Sequence, residues 1–370
     1  MIELYKTLMY NNLRLNFIKG GITMQCQSSP FGHTKDGQQV TLYTLSNEKG
    51  HNVKILNYGG IIKEINVPDA TGHISNVVLG FDSIEAYEEH SPHFGCITGR
   101  VAGRISQASF NLNDTTYTLE KNNGNHCLHG GSLALDKQIW SVTEIVSKTQ
   151  AELVLSYLSY DMDQGFPGNL DVVVTYVFDE DSNLTIRYKA TTDKDTILTL
   201  TNHSYFNLSG DPSTTILDHV LTLPAKEYVA VDSEIIPIDI LPTASGPFDF
   251  TKPKAIGLDI RDKDTQLENA SGYDHAFILD SDIKQPIVLK DPKTGRILEI
   301  ETTEACVVCY TGNFLTSELP LQGGQSTLKH GAVCLETQYY PDAINQDFFP
   351  TKILRADEIY RQKTTYSFKV

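Results

Sequence analysis

The sequence predicts an all-β protein, a single large antiparallel β-sandwich with few short helices. Three observations carry this. Short apolar runs with strand-like alternation recur along nearly the whole chain. Clusters of Gly, Asn and Asp separate them, as the turns of a sandwich or barrel require. Helical periodicity is scarce, and no internal repeat or shift in composition marks a second domain. The sandwich is expected to occupy residues 24–370.

The first 23 residues show no strand alternation, and Asn11, Asn12, Arg14 and Asn16 interrupt any apolar run of signal-peptide type. Codons for Lys19-Gly20-Gly21 can form a purine-rich stretch like a bacterial ribosome-binding site. Residues 1–23 are therefore expected to be an extension, with the native protein starting at Met24. Phe81 to Glu89 offers one short helix, with Asp82 and Glu85 spaced as a capping box. Leu184, Ile186, Tyr188 and Ala190 alternate with Thr185, Arg187, Lys189 and Thr191, and the run Leu170 to Phe178 precedes them across Asp179-Glu180-Asp181-Ser182-Asn183. That pattern predicts an antiparallel hairpin with one apolar face.

Composition excludes several function classes. Forty-six Asp and Glu against 30 Lys and Arg give a net charge of −16, which repels nucleic acid and anionic lipid. No stretch is long enough to span a bilayer as a helix. The six cysteines are mostly far apart and read as reduced thiols of a cytoplasmic protein. Cys306 and Cys309 form a CxxC, but Val307, Val308 and Tyr310 around them indicate a buried strand rather than a zinc site.

Four stretches can carry chemistry. In TILTLTNHSYFNLSG (196–210), alternation puts Thr199, Thr201, His203 and Tyr205 on one face and Leu198, Leu200 and Phe206 on the other, as if lining a pocket. In GAVCLETQYY (331–340), the same parity groups Ala332, Cys334, Glu336 and Gln338 opposite Val333, Leu335 and Tyr339. An ionised Glu336 among apolar neighbours must be paired, protonated or facing a cavity. His129 lies in NNGNHCLHGG, where glycines let backbone approach a ligand. His126 and His129 suggest a metal pair, but no third ligand with matching context is evident, so no metal is expected. Asp274 in SGYDHAF reads as a turn residue, and Arg104 in GRVAGRIS as a surface cation.

Together these strings are similar to one family. From about Phe31 onward, NVVLGFDSIEAY, FGCITGRVAGRIS, NNGNHCLHGG, FPGNLDVVVTY, TLTNHSYFNLSG, PFDF, GYDHAF, YTGNF and CLETQYYPDAINQ occur in an order that resembles the aldose 1-epimerases, or galactose mutarotases. The resemblance implies a galactose mutarotase-like supersandwich with the sugar in an open cleft. It implies Glu336 as general base, His203 as general acid, and Arg104, His129 and Asp274 as residues that hold the sugar. It also implies a small-molecule sugar substrate, no cofactor, and a monomer or homodimer.

The chemistry agrees. Interconverting anomers removes a proton from the anomeric hydroxyl and delivers one to the ring oxygen. A carboxylate and an imidazole facing one another across the sugar suffice, without metal, nucleotide or covalent nucleophile. Other readings stay open at this point: a glycosidase using Glu336 with Asp274, a non-catalytic sugar-binding protein, and a sugar-phosphate epimerase. An esterase reading of His129-Gly130-Gly131 lacks a G-x-S-x-G elbow. The chain departs from the family's usual residues at Gly103 (Asn), at Val308-Cys309 (Gln-Phe) and at Ile238-Asp239-Ile240 (Thr-Gly-Glu), which puts substrate preference in question.

Overall fold

The computed structural model describes residues 24–370 except positions 281 and 284. The expected extension, residues 1–23, lies outside the described residues. Strands dominate. A nine-stranded sheet runs in the order Ser141–Val146, Gln150–Ser159, Leu170–Asp179, Asn183–Thr192, Tyr360–Lys369, Ile297–Thr302, Ile287–Lys290, Val220–Thr222, Lys254–Ala255. A six-stranded sheet is ordered Tyr205–Phe206, Val333–Gln338, Cys306–Tyr310, Asp274–Leu279, Ala225–Val231, Pro237–Pro242. A five-stranded meander from Gln25–His33 to Ile74–Asn76 packs beside them. Neighbouring strands in these sheets pair antiparallel.

The expected hairpin is present, with Leu170 opposite Thr192 and Phe178 opposite Leu184. Period two explains its stability. Leu184, Ile186, Tyr188 and Ala190 all enter the main core, where they meet Val307, Cys309, Val333 and Leu335 from the six-stranded sheet. Each large apolar side chain so buried contributes roughly 1.5–3 kcal/mol. The two sheets thus share one apolar interior, and their outer faces point away from each other.

Among the described residues there are two short α-helices, Ile84–Glu89 and Thr265–Ala270. The first differs from the expected capping box by one residue. Ser83 is the cap and its Oγ accepts from Ala86 N, while Asp82 accepts from Gly323 N at 2.7 Å and pairs with Lys63. The tertiary partners of Asp82 outcompete a local cap. The CxxC lies on the buried strand Cys306–Tyr310, with Cys309 in the main core and Cys306 in a smaller apolar cluster. No helix among the described residues is long and apolar enough to cross a membrane.

Candidate active site

Parity along Val333–Gln338 places Glu336. Val333 and Leu335 point into the main core; Cys334 belongs to the second apolar cluster on the opposite face. Glu336 shares that outer face and is 3% exposed. Register then builds the wall around it. Glu336 lies opposite Val308 and Val308 opposite Ala276, while Tyr205, Cys334, Tyr310 and Asp274 are linked by the same ladders one step along. From these two rows Glu336, Val308, Ala276, Tyr205, Tyr310 and Asp274 line a cleft of ≈ 450 Å³.

His203 reaches the cleft by a route that the alternation did not foresee. The stretch 196–210 is not one strand. Thr201–Asn202 pairs with Ile97–Thr98, whereas Tyr205–Phe206 pairs with Val333 and Cys334 in another sheet. Asn202 Oδ1 accepts from Ser204 N at 3.2 Å and from Ser204 Oγ at 2.6 Å, an Asx turn that ends the first ladder. The two His203 backbone bonds, to Cys96 O and from Gly95 N, are both 2.9 Å and hold the residue between the sheets. Thr199 consequently leaves the pocket face, and its Oγ1 accepts from Tyr339 N. Tyr205 stays, stacking on the His203 ring at a centroid distance of 5.0 Å.

The result is a short contact between the two expected catalytic residues. His203 Nε2 lies 3.4 Å from Glu336 Oε1. They stand side by side rather than across a sugar from one another, as the sequence reading had them. This suits the chemistry, because the anomeric and ring oxygens are bonded to the same carbon.

Burial sets the protonation of both groups. It pushes the Glu336 carboxyl well above its ordinary range, Asp274 pushes in the same direction, and Arg104 opposes them. Burial, with a smaller contribution from His93, holds His203 down to about 3. On the far side of the ring, the one partner of Nδ1 among the described residues is the Cys334 thiol, 3.5 Å away. Burial raises that thiol's own pKa, so it stays S–H and offers an imidazolium little support. The stable form of the pair is therefore neutral, with one dissociable proton on the carboxyl.

His129, Arg104 and Asp274 join the same cleft. His129 N donates to Gly103 O at 3.0 Å, and Gly103 N donates back to His129 Nδ1 at 3.2 Å. Burial holds this imidazole neutral. With Nδ1 accepting, its proton sits on Nε2, so the ring is a donor. Arg104 is half-buried and Nε donates to Asn123 Oδ1 at 3.1 Å. Asp274 opens the strand Asp274–Leu279 instead of sitting in a turn, and burial raises its carboxyl while Arg104 opposes.

The grouping of His126 with His129, and the expectation that no third ligand accompanies His129, need correction. His126 turns away, its Nδ1 accepting from Gln107 N. His129 instead meets His203 and Glu336, with one donor atom from each within 4.8 Å of the others. Two histidines and a carboxylate are a zinc-type donor set. The Nε2 proton of His129 weighs against ligation here, since a metal needs a lone pair.

Sequence reasoning missed His93. Its ring lies 4.7 Å from His129 and 5.8 Å from His203, centroid to centroid, and Nδ1 lies 3.1 Å from Asp136 Oδ2. A histidine in SPHFG at φ +68° carries no local signal of this. Gln338, expected on the small polar face, does line the cleft, and at 1% exposure its amide finds no partner among the described residues. Of the three departures, Gly103 and Val308 line the cleft. Gly103 has φ +79°, a backbone that Asn tolerates best after Gly, and a Cβ there would lie 3.4 Å from Gln338 Nε2. Cys309 faces the core.

Comparison with known proteins agrees with this geometry. The aldose 1-epimerase family profile matches residues 41–367. The chain belongs to the aldose 1-epimerase family. It is 38% identical over 321 residues to the galactose mutarotase of Bos taurus, covering 86% of this chain and 91% of that one. To the aldose 1-epimerase of Haemophilus influenzae it is 37% identical over 339 residues, covering 90% and 97%. The solved galactose 1-epimerase of Lactobacillus acidophilus superposes with a TM-score of 0.82 at 26% identity, covering 94% of this chain and 99% of that one. The family's sandwich architecture is thus the architecture of this chain.

Proposed function

We propose that the protein is an aldose 1-epimerase that interconverts the α and β anomers of free hexoses such as glucose and galactose, with Glu336 as base and His203 as acid. The observation that carries this reading is the 3.4 Å contact between Glu336 Oε1 and His203 Nε2 in a sugar-sized cleft. The kinship with galactose mutarotases supports it.

The pair can run the reaction without exchanging a proton with solvent. One internal transfer converts the neutral pair to carboxylate and imidazolium, and Arg104 favours that carboxylate. Glu336 then takes the proton of the anomeric hydroxyl while His203 gives its Nε2 proton to the ring oxygen. The bond from the anomeric carbon to the ring oxygen breaks, an open aldehyde forms, and both residues are neutral again. Burial favours that neutral state, so the return to it offsets the cost of the internal transfer and the step ends in the protonation state in which it began. After rotation of the aldehyde, the C5 hydroxyl attacks its other face and both protons return. The His129 Nε2–H, Arg104, Asp274 and the unpartnered Gln338 amide supply hydrogen bonds that hold the remaining hydroxyls.

Polarimetry on freshly dissolved α-glucose and α-galactose tests the function. Optical rotation should decay faster than in buffer, in proportion to protein concentration; decay at the buffer rate overturns the reading. The same assay has an expected pH profile. The active pair holds one proton in total, so acid inactivates by adding a second to His203, whose pKa is held down to about 3. Base inactivates by removing the raised Glu336 proton. The rate above buffer should therefore show no acid limb in the ordinary histidine range for folded protein, and its base limb should lie above the usual carboxylate range. An acid limb near ~6.5, the ordinary histidine value, contradicts the assigned pair. Dialysis against a strong chelator should leave the rate unchanged, and a loss restored by zinc would move the His129, His203 and Glu336 trio to a metal site.

A further inference from the structure

The chain carries a net charge of −16, yet four of its cations are gathered on one spot far from the sugar cleft. Where Asn183–Thr192 pairs with Tyr360–Lys369, Arg187 lies directly opposite Lys363 and Lys189 directly opposite Arg361. All four side chains are exposed. The alternate residues Leu184, Ile186 and Tyr188 enter the core, so the cations project from the outer face of the nine-stranded sheet.

Two ordinary explanations fail. Lysines often guard sheet edges against pairing with another chain, but these strands are the fourth and fifth of nine. Charges on strands are often matched across the ladder, but here like charges face each other, which destabilises a sheet. Counter-charge is sparse. Glu152 lies 4.0 Å from Arg187 Nη1, and Lys189, Arg361 and Lys363 form no ion pair among the described residues. The four residues border a hollow of ≈ 400 Å³ that also includes Thr175 and Thr303.

We propose that this hollow binds a small molecule bearing two or three linked phosphates. Positions two apart on a strand are separated by about 6.6–6.8 Å and neighbouring strands by about 4.8 Å, so the quartet is a rectangle of roughly 5 by 7 Å. That footprint fits a short oligophosphate better than a single anion. Two guanidinium forks and two ammonium groups suit phosphate oxygens, the arginines by paired hydrogen bonds and the lysines as point charges. A bound oligophosphate removes the cross-strand repulsion that the protein otherwise carries. The site is independent of the sugar cleft, which lies on the outer face of the other sheet beyond the shared core.

Calorimetric titration of the full chain at constant ionic strength tests this, with orthophosphate, pyrophosphate and tripolyphosphate as probes and sodium chloride as control. Saturable one-to-one binding is expected, tightest for pyrophosphate or tripolyphosphate. Lys189→Thr with Arg361→Thr should weaken it roughly tenfold or more, since each cation lost removes charged hydrogen bonds. Lys189→Gln with Lys363→Gln, which keeps two long polar side chains on the outer face, should weaken it likewise and serves if the threonine pair impairs folding. Polarimetric activity should be unchanged in both. Absence of saturable binding, equal binding by the substituted proteins, or heats reproduced by sodium chloride would each overturn the site.

Discussion

Replacing Glu336 with glutamine is expected to lower kcat by about 10²–10⁴, or roughly 3–5 kcal/mol of barrier, while the fold survives. Glutamine keeps the shape and the hydrogen-bonding capacity of the buried side chain but cannot accept the anomeric proton. Folding should tolerate the change well, because burial already favours the neutral carboxyl. His203→Asn should cost a similar factor by removing the acid. The two residues share one proton at a separation of 3.4 Å, so the double substitution should lose far less than the product of the single losses. Turnover and denaturant midpoint measured on all three variants decide the matter. If Glu336 were only a structural carboxyl, the glutamine variant would show altered stability with near-normal turnover, and a kcat within about threefold of the parent ends the assignment.

Gly130→Ala should be the most damaging small substitution in the loop that presents His129. Gly130 has φ +94°, and a Cβ there would lie 2.2 Å from Gly99 O, 2.5 Å from Gly99 C and 2.7 Å from Arg100 N. That backbone cannot move aside. Arg100 is buried, with its guanidinium held by Ser159 O at 3.0 Å, Tyr160 O at 2.8 Å and Pro167 O at 2.9 Å. Left-handed strain alone costs an alanine about 1–2 kcal/mol, and the backbone collision should bring the loss to about 3 kcal/mol or more. Activity should fall too, because His129 is the adjacent residue. Gly124→Ala is the control from the same loop. At φ +60° it carries the strain, but its Cβ would meet nothing within 4 Å, so its loss should stay near the strain value. Denaturant midpoints that are equal for the two variants would show that close approach is not what Gly130 provides.

The loop illustrates what local sequence can carry. Glycines around His129 suggested a backbone close to a ligand, whereas the close approach that Gly130 makes is to the backbone of Gly99-Arg100, which is unrelated in local pattern. The same holds at the expected catalytic residues. The face of Glu336 was legible because side-chain parity along a strand is decided by backbone geometry within a few residues, and Val333, Leu335 and Glu336 obey it. The parity argument for His203 reached the right pocket through a strand that does not exist as a unit. Asn202 and Ser204 form an Asx turn there and hand the chain from one sheet to another. The Asn-His-Ser string held a hint of that turn, whereas the change of sheet depends on partners far along the chain.

The sequence by itself determined the all-β class, the hairpin from Leu170 to Thr192, the outward face of Glu336 and, through its motifs, the family. These follow from period-two patterning and from residue identity, both of which are local. Only the tertiary structure decided that His203 Nε2 stands beside Glu336 Oε1, that Asp136 holds His93 against the histidine cluster, and that Arg187 and Lys189 face Lys363 and Arg361. Each of those relations is set by strand register or by loop contacts between segments distant in the chain. A register shift of one residue would reverse every side chain concerned, so the identity of the neighbour belongs to the assembled core rather than to any one strand.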